Sequence, residues 1–314
     1  MNNGVRKITD GAMMCAIVGL ILVINRQFAG LFEEMFLFFF PLPMVFYSAK
    51  YGMKDSWVVL VAIALLTAII GTPQTIFYVA SESLLGLVYG SGIHDNKDSR
   101  KLMFLSIAIS VVVNVITTII YASFFGYDLG AELTEYETII NGVLSETGMT
   151  ISSTVNLKQM LTTVLLVSVV LTGILQGIIT HVFSRLLLKR LRFTIPPSTP
   201  LALYYPKKWS GYVGLLGLVG YYYTIYNPLS NEGIQTLVQG VCLCAVVYLC
   251  FMGAICLIVQ AGLSNPKLAG LFVIISFFFV MFFMLPMALV GFMYITTEWH
   301  TSILRRAAYA KKYK

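Results

Sequence analysis

Nine apolar runs, most of them long enough to cross a lipid bilayer, alternate with shorter polar segments along this chain of 314 residues. A membrane-spanning helix needs about 20 mostly apolar residues. The runs are continuous and do not alternate between apolar and polar positions, so they predict helices and not barrel strands. Only 11% of the residues are charged, whereas a soluble domain carries roughly a quarter. We therefore expect an all-α, polytopic transmembrane helical bundle. The runs cover 10–26, 33–49, 56–71, 75–92, 102–125, 159–184, 209–226, 234–262 and 268–297.

Lysine and arginine lie almost entirely in alternate loops of this bundle, and basic loops stay in the cytoplasm. With a cytoplasmic N-terminus, thirteen basic residues before position 209 fall inside, and only Arg26 and Lys158 fall outside. The basic tail at 305–314 is also expected to be cytoplasmic, which requires an even number of crossings. We therefore expect eight true spans, with 209–226 or part of 268–297 only partly inserted.

A basic, proline-bearing stretch divides the runs into two groups. Proline and charge at such a place are typical of a connector. The sequence predicts a six-helix membrane core at 1–192, a cytoplasmic connector at 193–208, and membrane helices with a basic tail at 209–314.

The longest polar segment, 126–158, carries apolar residues at helical spacing with acids between them. This pattern predicts an amphipathic helix on the external side. Such a helix either shields the bundle or acts as a gating lid, and the sequence does not decide between the two. The apolar positions are Leu129, Leu133, Tyr136, Ile140 and Val143.

Motifs that carry catalytic chemistry are missing from the sequence. There is no HExxH, no GxSxG and no GxxxxGK[ST] loop, which leaves zinc proteases, serine hydrolases and P-loop ATPases without support. The five cysteines lie inside apolar runs and form no CxxC pair. We expect no enzyme activity, no cofactor, no metal site and no nucleic-acid partner. The glycines at 211, 214, 217 and 220 predict a close-packing helix face and not a phosphate loop.

Glu82 is the only acidic residue deep inside an apolar run. A bare charge at that depth costs several kcal/mol, so the carboxyl must face the interior, pair with another group, or be protonated. It is either a ligand or proton site or a neutral acid that fixes helix packing.

Polar residues also recur along single faces of two further runs. Ser110, Asn114, Thr117 and Tyr121 share one face of the fifth run, and Ser168, Thr172, Gln176 and Thr180 share one face of the sixth. These stripes either join helices by hydrogen bonds or line a cavity between helices four to six that opens outward.

Several short motifs in the first half of the chain resemble those of a known family. Thr9-Asp10-Gly11-Ala12 opens the first helix, Pro41-Leu42-Pro43 follows Phe38-Phe39-Phe40, and Tyr51-Gly52 precedes the third run. With these residues the chain resembles the YybS-like family of predicted bacterial membrane proteins. That family in turn is similar, in its first six helices, to the substrate-binding S components of energy-coupling-factor (ECF) transporters.

The resemblance implies a location in the bacterial cell membrane, in contact with lipid. It also implies a partner, a transmembrane coupling subunit with ATPase subunits, held by the small-residue face Ala12-x-x-x-Ala16. An unknown small molecule would bind from outside, between the external loops and helices four to six. The positions that correspond are Arg26, Gln74, Tyr78, Glu82, Asn114 and Tyr121.

Two functions of different classes follow from these observations. The first is a small-molecule-binding or transport-related subunit that works with a separate energy-coupling partner. The alternative is a non-transporting membrane scaffold, whose basic loops recruit proteins or anionic lipid.

Overall fold

The computed structural model describes residues 3–28, 30–31, 33–36, 38–124, 129–148, 156–197, 205–264 and 269–303. Within these ranges every regular element is a helix, which confirms the all-α membrane bundle. The helices are α1 (Asn3–Gln27), α2 (Glu33–Phe36), α3 (Pro41–Ile70), α4 (Pro73–His94), α5 (Ser99–Phe124), α6 (Leu129–Thr147), α7 (Leu157–Arg190), α8 (Lys208–Tyr226), α9 (Glu232–Ser264), α10 (Ala269–Phe282) and α11 (Met284–Thr296).

Six of these helices are long and apolar enough to cross a membrane by length and composition: α1, α3, α4, α5, α7 and α9. This count is lower than the eight expected spans for two structural reasons. The run 56–71 and most of the run 33–49 lie in the two arms of α3, which is taken as one helix although the non-helical Gly52 separates the arms, and the run 268–297 is divided into two helices. The basic tail at 305–314 and the first residues of the segment 126–158 lie outside the described residues.

Gly52 interrupts α3 and produces a sharp kink between its two arms. Its φ of 78° and ψ of 178° are not helical, and positive φ is strained for any residue with a Cβ. Two ion pairs flank this kink, one from Lys7 to Asp55 at 2.5 Å and one from Lys50 to Asp10 at 2.5 Å. They attach the first turns of α1 to both arms of α3.

The chain forms two compact units, and α7 contributes to both. Unit 1 comprises 1–129 and 168–198, and unit 2 comprises 130–167 and 199–314. In unit 1, glycines allow close helix contacts: Gly86 and Gly90 of α4 face the backbone of α3, and Gly173 and Gly177 of α7 face the backbone of α5. The predicted division at 192 and 208 stays a prediction.

In unit 2, α8 packs against α9 and α11 through one glycine-lined face. Added Cβ atoms at Gly211, Gly214, Gly217 and Gly220 would lie within 3 Å of side chains on those helices. This confirms the prediction that these four glycines form a close-packing face. The apolar core behind the face includes Leu249, Ile255 and Ile295.

The run 268–297 breaks at Phe283, which has φ −129° and ψ 50°. The break lies three residues before Pro286, whose ring would clash with the carbonyl of residue i−4 in a continuous helix. The resulting helices have 14 and 13 residues. At about 1.5 Å per residue, each is too short to span hydrocarbon about 30 Å thick.

The predicted amphipathic helix is present as α6. Leu133 is buried, whereas Tyr136 and Val143 are exposed. The role of α6 as a lid stays a prediction.

Candidate functional site

Gln176 joins two of the residues that the sequence singled out. Its Nε2 donates a hydrogen bond to Oε1 of Glu82, and its Oε1 accepts one from Nδ2 of Asn114 at 2.6 Å. The same Asn114 Nδ2 also donates to the carbonyl of Ser110 at 2.9 Å. Three helices of unit 1 therefore meet at one amide side chain: α4 through Glu82, α5 through Asn114 and α7 through Gln176.

The Glu82 carboxyl is almost completely removed from the surface, with 1% of the residue exposed. Its second oxygen, Oε2, has no hydrogen-bond partner among the described residues. Burying a polar atom without a partner costs about 1–3 kcal/mol, and an unpaired charge costs more. Oε2 of Glu82 is therefore free to carry a proton or to bind a water or a ligand.

Close packing of α5 on α7 positions this cluster. A Cβ at Gly173 would lie 2.6 Å from Cα of Val111, and a Cβ at Gly177 would lie 2.5 Å from Cα of Ile107. Only glycine permits such an approach, as in other small-xxx-small contacts. The spacing of Gly173 and Gly177 is typical of a close helix contact, but the sequence analysis did not single out this motif. It placed Gln176 on the polar stripe of α7 and not among the site residues.

Three further predicted site residues form a second group near the start of α4. Tyr121 Oη donates to the carbonyl of Gln74 at 3.2 Å, and the Tyr121 ring meets the Tyr78 ring edge-on at 5.3 Å between centroids. Tyr121 lies seven residues beyond Asn114 on α5, which is about 10 Å along the helix axis. The structure therefore brings Gln74, Tyr78 and Tyr121 together and brings Glu82 and Asn114 together.

The remaining predicted residues lie on α1. Arg26 is exposed in the last turn of α1. Ala12 and Ala16 are exposed on one side of the helix, whereas Met14 and Val18 are buried on the other. The proposed partner face is therefore free of contacts that would bury it within the described part of the chain.

The two predicted polar stripes differ in burial. On α5, Ser110 and Thr117 are buried. On α7, Gln176 and Thr180 are buried, but Ser168 and Thr172 are exposed. The α7 stripe is therefore buried only over its second half.

Unit 2 contains a small polar cavity that sequence reasoning missed. Its volume is about 30 Å³, and at about 10–15 Å³ for each water it has room for about two. Gln235 Nε2 donates to the carbonyl of Thr224 at 2.7 Å, and Gln235 Oε1 accepts from the backbone N–H of Leu229 at 3.0 Å. The lining residues are Asn156, Gln159, Met160, Thr224, Ile225, Pro228, Gln235 and Gln239.

A buried histidine follows α11 in unit 2. His300 Nδ1 and Tyr294 Oη share a hydrogen bond of 2.7 Å, and the Tyr205 ring stacks on the imidazole at 4.4 Å. Burial lowers the pKa of His300 and raises the pKa of Tyr205, since it disfavours the charged form of each. Tyr205 Oη donates a hydrogen bond to the carbonyl of Ile295 at 2.6 Å. These contacts fix the packing of the cluster, so we assign it a structural role.

Comparison with known proteins gives one match. Residues 16–293 match the model of a family described as "Predicted membrane protein (DUF2232)". No curated protein and no solved structure matches the chain. The match names neither the YybS-like family nor the S components, so that resemblance stays an expectation. Because the match extends over most of its length, the chain belongs to this family of predicted membrane proteins.

Proposed function

We propose that this integral membrane protein is a transport-related subunit that binds a small organic cation or zwitterion at Glu82 and works with a separate energy-coupling partner. The observation that carries the proposal is the buried Glu82 carboxyl, whose Oε2 has no partner among the described residues. Intramembrane acids are costly and are typically retained where they bind ions, protons or substrates.

The polar groups around Glu82 support a ligand with both charge and hydrogen-bonding atoms. Gln176 and Asn114 present amide groups beside the carboxyl. An ammonium group at Oε2 would neutralise a charged carboxylate, and amide groups would hold the polar remainder of the molecule.

Aromatic rings near the start of α4 support the same ligand class. Glu82 lies nine residues after Pro73, the first residue of α4, which is about 14 Å along the axis. Tyr78 and Tyr121 lie between the start of α4 and Glu82. Tyrosine rings attract cations by cation–π interaction, so a cation approaching from that end would meet them before the carboxyl.

The energy for transport would come from a partner, because the chain contains no phosphate-binding loop of the P-loop type. The exposed Ala12 and Ala16 offer a face on which another helix can approach closely. The proposed partner is a transmembrane coupling subunit with ATPase subunits, in a bacterial cell membrane with the chain's N-terminus in the cytoplasm.

Thermal unfolding of the purified full chain in detergent micelles tests the solute site. A panel of small organic cations and zwitterions is added singly, and a binder is expected to raise Tm. At 100 times Kd the stabilisation is about 2.7 kcal/mol. Glu82→Gln and Asn114→Leu should each abolish the response. Glu135→Gln, which alters an exposed acid of α6, is the matched control and should keep it.

The same experiment distinguishes the scaffold alternative. If no solute stabilises the wild type, and both site variants only lower Tm, Glu82 is a structural acid and the chain is a non-transporting scaffold. Affinity purification from native membrane adds a second criterion. Co-purifying ATPase subunits that are lost in Ala12→Leu and Ala16→Leu would support the coupling partner.

A further inference from the structure

Buried hydroxyl groups line the contact between α5 and α7 in unit 1, and we call this set the hydroxyl seam. No member is more than 2% exposed, although each lies within a helix long enough to span a membrane. The hydroxyl seam consists of Ser99 and Ser106 on α5 and Thr180 and Ser184 on α7, and the buried Ser110, on the opposite side of Gln176, is not part of it.

The register of the two helices orders these hydroxyls along the membrane direction. Gly173 faces Val111 and Gly177 faces Ile107, so each four-residue step along α7 matches a four-residue step back along α5. The same register continues to the pair in which Arg185 Nη1 donates to Ser99 Oγ at 3.0 Å. The two helices are therefore antiparallel and in one register from Gly173 to Arg185.

In this register Ser106 lies level with the turn between Gln176 and Thr180, and Ser184 lies beside Ser99. With a rise of about 1.5 Å per residue, successive groups from Gln176 through Ser106 to Thr180 are about 3 Å apart along the axis. The step from Thr180 to Ser184 is about 6 Å, which one water can bridge. The hydroxyl seam therefore runs from the Glu82 cluster to Arg185 without a long apolar interval.

Ser106 Oγ donates to the carbonyl of Gly177 at 2.8 Å, but the hydrogen bonding of other buried hydroxyls at this contact is unusual for a membrane helix. Ser and Thr in helices ordinarily bond the carbonyl at i−4, as Ser48 and Thr67 do at 2.7 and 2.8 Å. Ser110, Thr180 and Ser184 have no such partner among the described residues. Buried polar atoms of this kind are normally satisfied by ordered water. The hydroxyls of Thr180 and Ser184 are therefore the positions in the hydroxyl seam at which ordered water would bind.

We propose that the hydroxyl seam conducts protons between Glu82 and the end of the helices at Ser99 and Arg185, the predicted cytoplasmic end. A hydronium ion at that end gives its proton to a lone pair of Ser184 or an adjacent water and leaves as water. Each water, and each of the hydroxyls of Ser184 and Thr180, in turn accepts one proton and releases its own to the next, while Ser106, which donates to the Gly177 carbonyl, only accepts a hydrogen bond from the path. The last O–H bond forms on the Glu82 carboxylate, and the reverse sequence discharges it. No bound solute is needed, so this inference stands apart from the proposed solute site.

Arg185 controls the access of protons at the end of the hydroxyl seam that lies away from Glu82. Its guanidinium donates to Ser99 and to the carbonyl of Pro196, which holds a positive charge across the mouth of the hydroxyl seam. Positive groups at a constriction oppose the passage of protons. The arrival of hydronium past Arg185 is therefore expected to be the slow step.

The other titratable groups near the path are few. Tyr89 Oη and His181 Nδ1 share a hydrogen bond of 2.8 Å between α4 and α7, and both residues are buried. Tyr47 on α3 is buried as well, and it donates to the carbonyl of Lys7, away from α7. His181 is thus the one alternative proton carrier on α7 within the described part of the path, and it requires its own variant.

Infrared spectroscopy of the full chain in liposomes tests the proposal without a solute. The band of the Glu82 side chain is identified by its loss in Glu82→Gln. Transfer into D₂O then gives the rate at which the Glu82 carboxyl exchanges its proton. Thr180→Val and Ser184→Ala should each slow the exchange roughly tenfold, which corresponds to one lost hydrogen-bonded step of about 1.4 kcal/mol in the barrier. Arg185→Gln should accelerate it.

Two matched controls separate conduction from a general loss of packing. Ser110→Ala removes a buried hydroxyl on the opposite side of Gln176, and Thr172→Val alters an exposed position on the same helix. Both should exchange at the wild-type rate. The proposal is overturned if Thr180→Val and Ser184→Ala leave the rate unchanged, if Ser110→Ala slows it equally, or if the wild type does not exchange. Slowing by His181→Phe alone would place the path through the histidine and overturn the hydroxyl seam.

Discussion

The two units solve the same packing problem with opposite chemistry. In unit 1, Gly173 and Gly177 bring α7 onto α5, and the contact is lined with hydroxyl and amide groups. In unit 2, the glycine face of α8 and the pair Gly253–Gly291 bring helices equally close, and the surrounding core is apolar.

The difference shows that glycine contacts by themselves say nothing about function. Close backbone approach is a packing device in hydrocarbon, where the hydrophobic effect between helices is absent. Unit 1 differs in where its buried polar atoms without partners lie: they include Glu82 Oε2 and the hydroxyls of Ser110, Thr180 and Ser184, near the contact between α5 and α7. In unit 2 the described residues with such atoms are Gln159 and Ser276. Buried polar atoms without partners weaken packing.

The largest effect is expected from widening either glycine contact. Gly177→Val and Gly291→Val each place atoms where the facing backbone stands, 2.7 Å from Ile107 N and 2.8 Å from the Leu249 carbonyl carbon. Each should lower the free energy of unfolding in detergent by about 3 kcal/mol or more, since the backbones must separate. Gly142→Ala in α6 meets open space and should leave stability unchanged or higher. Equal tolerance at all three positions would show that neither contact is close.

A smaller difference is expected between two buried glutamines. Gln176→Leu leaves Glu82 Oε1 and Asn114 Nδ2 without their shared partner and should cost about 2–3 kcal/mol. Gln235→Leu should cost about 1–2 kcal/mol, because the Thr224 carbonyl keeps the Gln239 amide. Chemical denaturation of both variants measures the difference. A larger loss for Gln235→Leu would reverse the comparison.

Replacing either of two buried threonines with valine should change the free energy of unfolding, but in different directions. Thr180→Val removes a hydroxyl that has no partner among the described residues, so it should raise stability by about 0.5 kcal/mol or leave it unchanged. Thr224→Val removes a hydroxyl that donates to the carbonyl of Gly220 at 2.9 Å and should lower stability by about 1 kcal/mol. Thermal unfolding at one pH compares the pair. A loss in Thr180→Val as large as in Thr224→Val would mean that the Thr180 hydroxyl bonds a protein group.

The smallest expected effect is a pH dependence of the stability of unit 2. Burial lowers the pKa of His300 in the folded state, so the unfolded chain binds a proton more readily. The stability from this group is fully present above the unfolded pKa of about 6.5 and is lost as the pH falls below it. Between about pH 7.5 and about pH 5.5, Tm should therefore fall further in the wild type than in His300→Phe. Phenylalanine keeps the stacking on Tyr205, so identical slopes in both proteins would contradict the buried, neutral histidine.

Periodicity in the sequence was sufficient for the helices and for much of the candidate site. The continuous apolar runs predicted the membrane bundle, and the four glycines of α8 predicted its packing face. The spacing of Asn114 and the isolation of Glu82 identified two of the three residues that meet at the cluster, because both signals depend only on position within one helix.

Contacts between helices needed the tertiary structure. Nothing in the sequence pairs Gln176 with Glu82 and Asn114, since the three residues lie on α4, α5 and α7 and their meeting depends on helix register. The sequence also gave no sign that Tyr121 joins Gln74 and Tyr78 in a separate group.

Apolar length and the cost of a buried charge are properties of single segments, so the residue order alone predicts a helical membrane protein with one deeply placed acid. Which hydroxyls stay unpaired, and where they align, becomes visible only when the helices are packed together. That outcome depends on how closely α5 approaches α7 at Gly173 and Gly177, and a register between two helices is set by their contact surface and not by the period of either one.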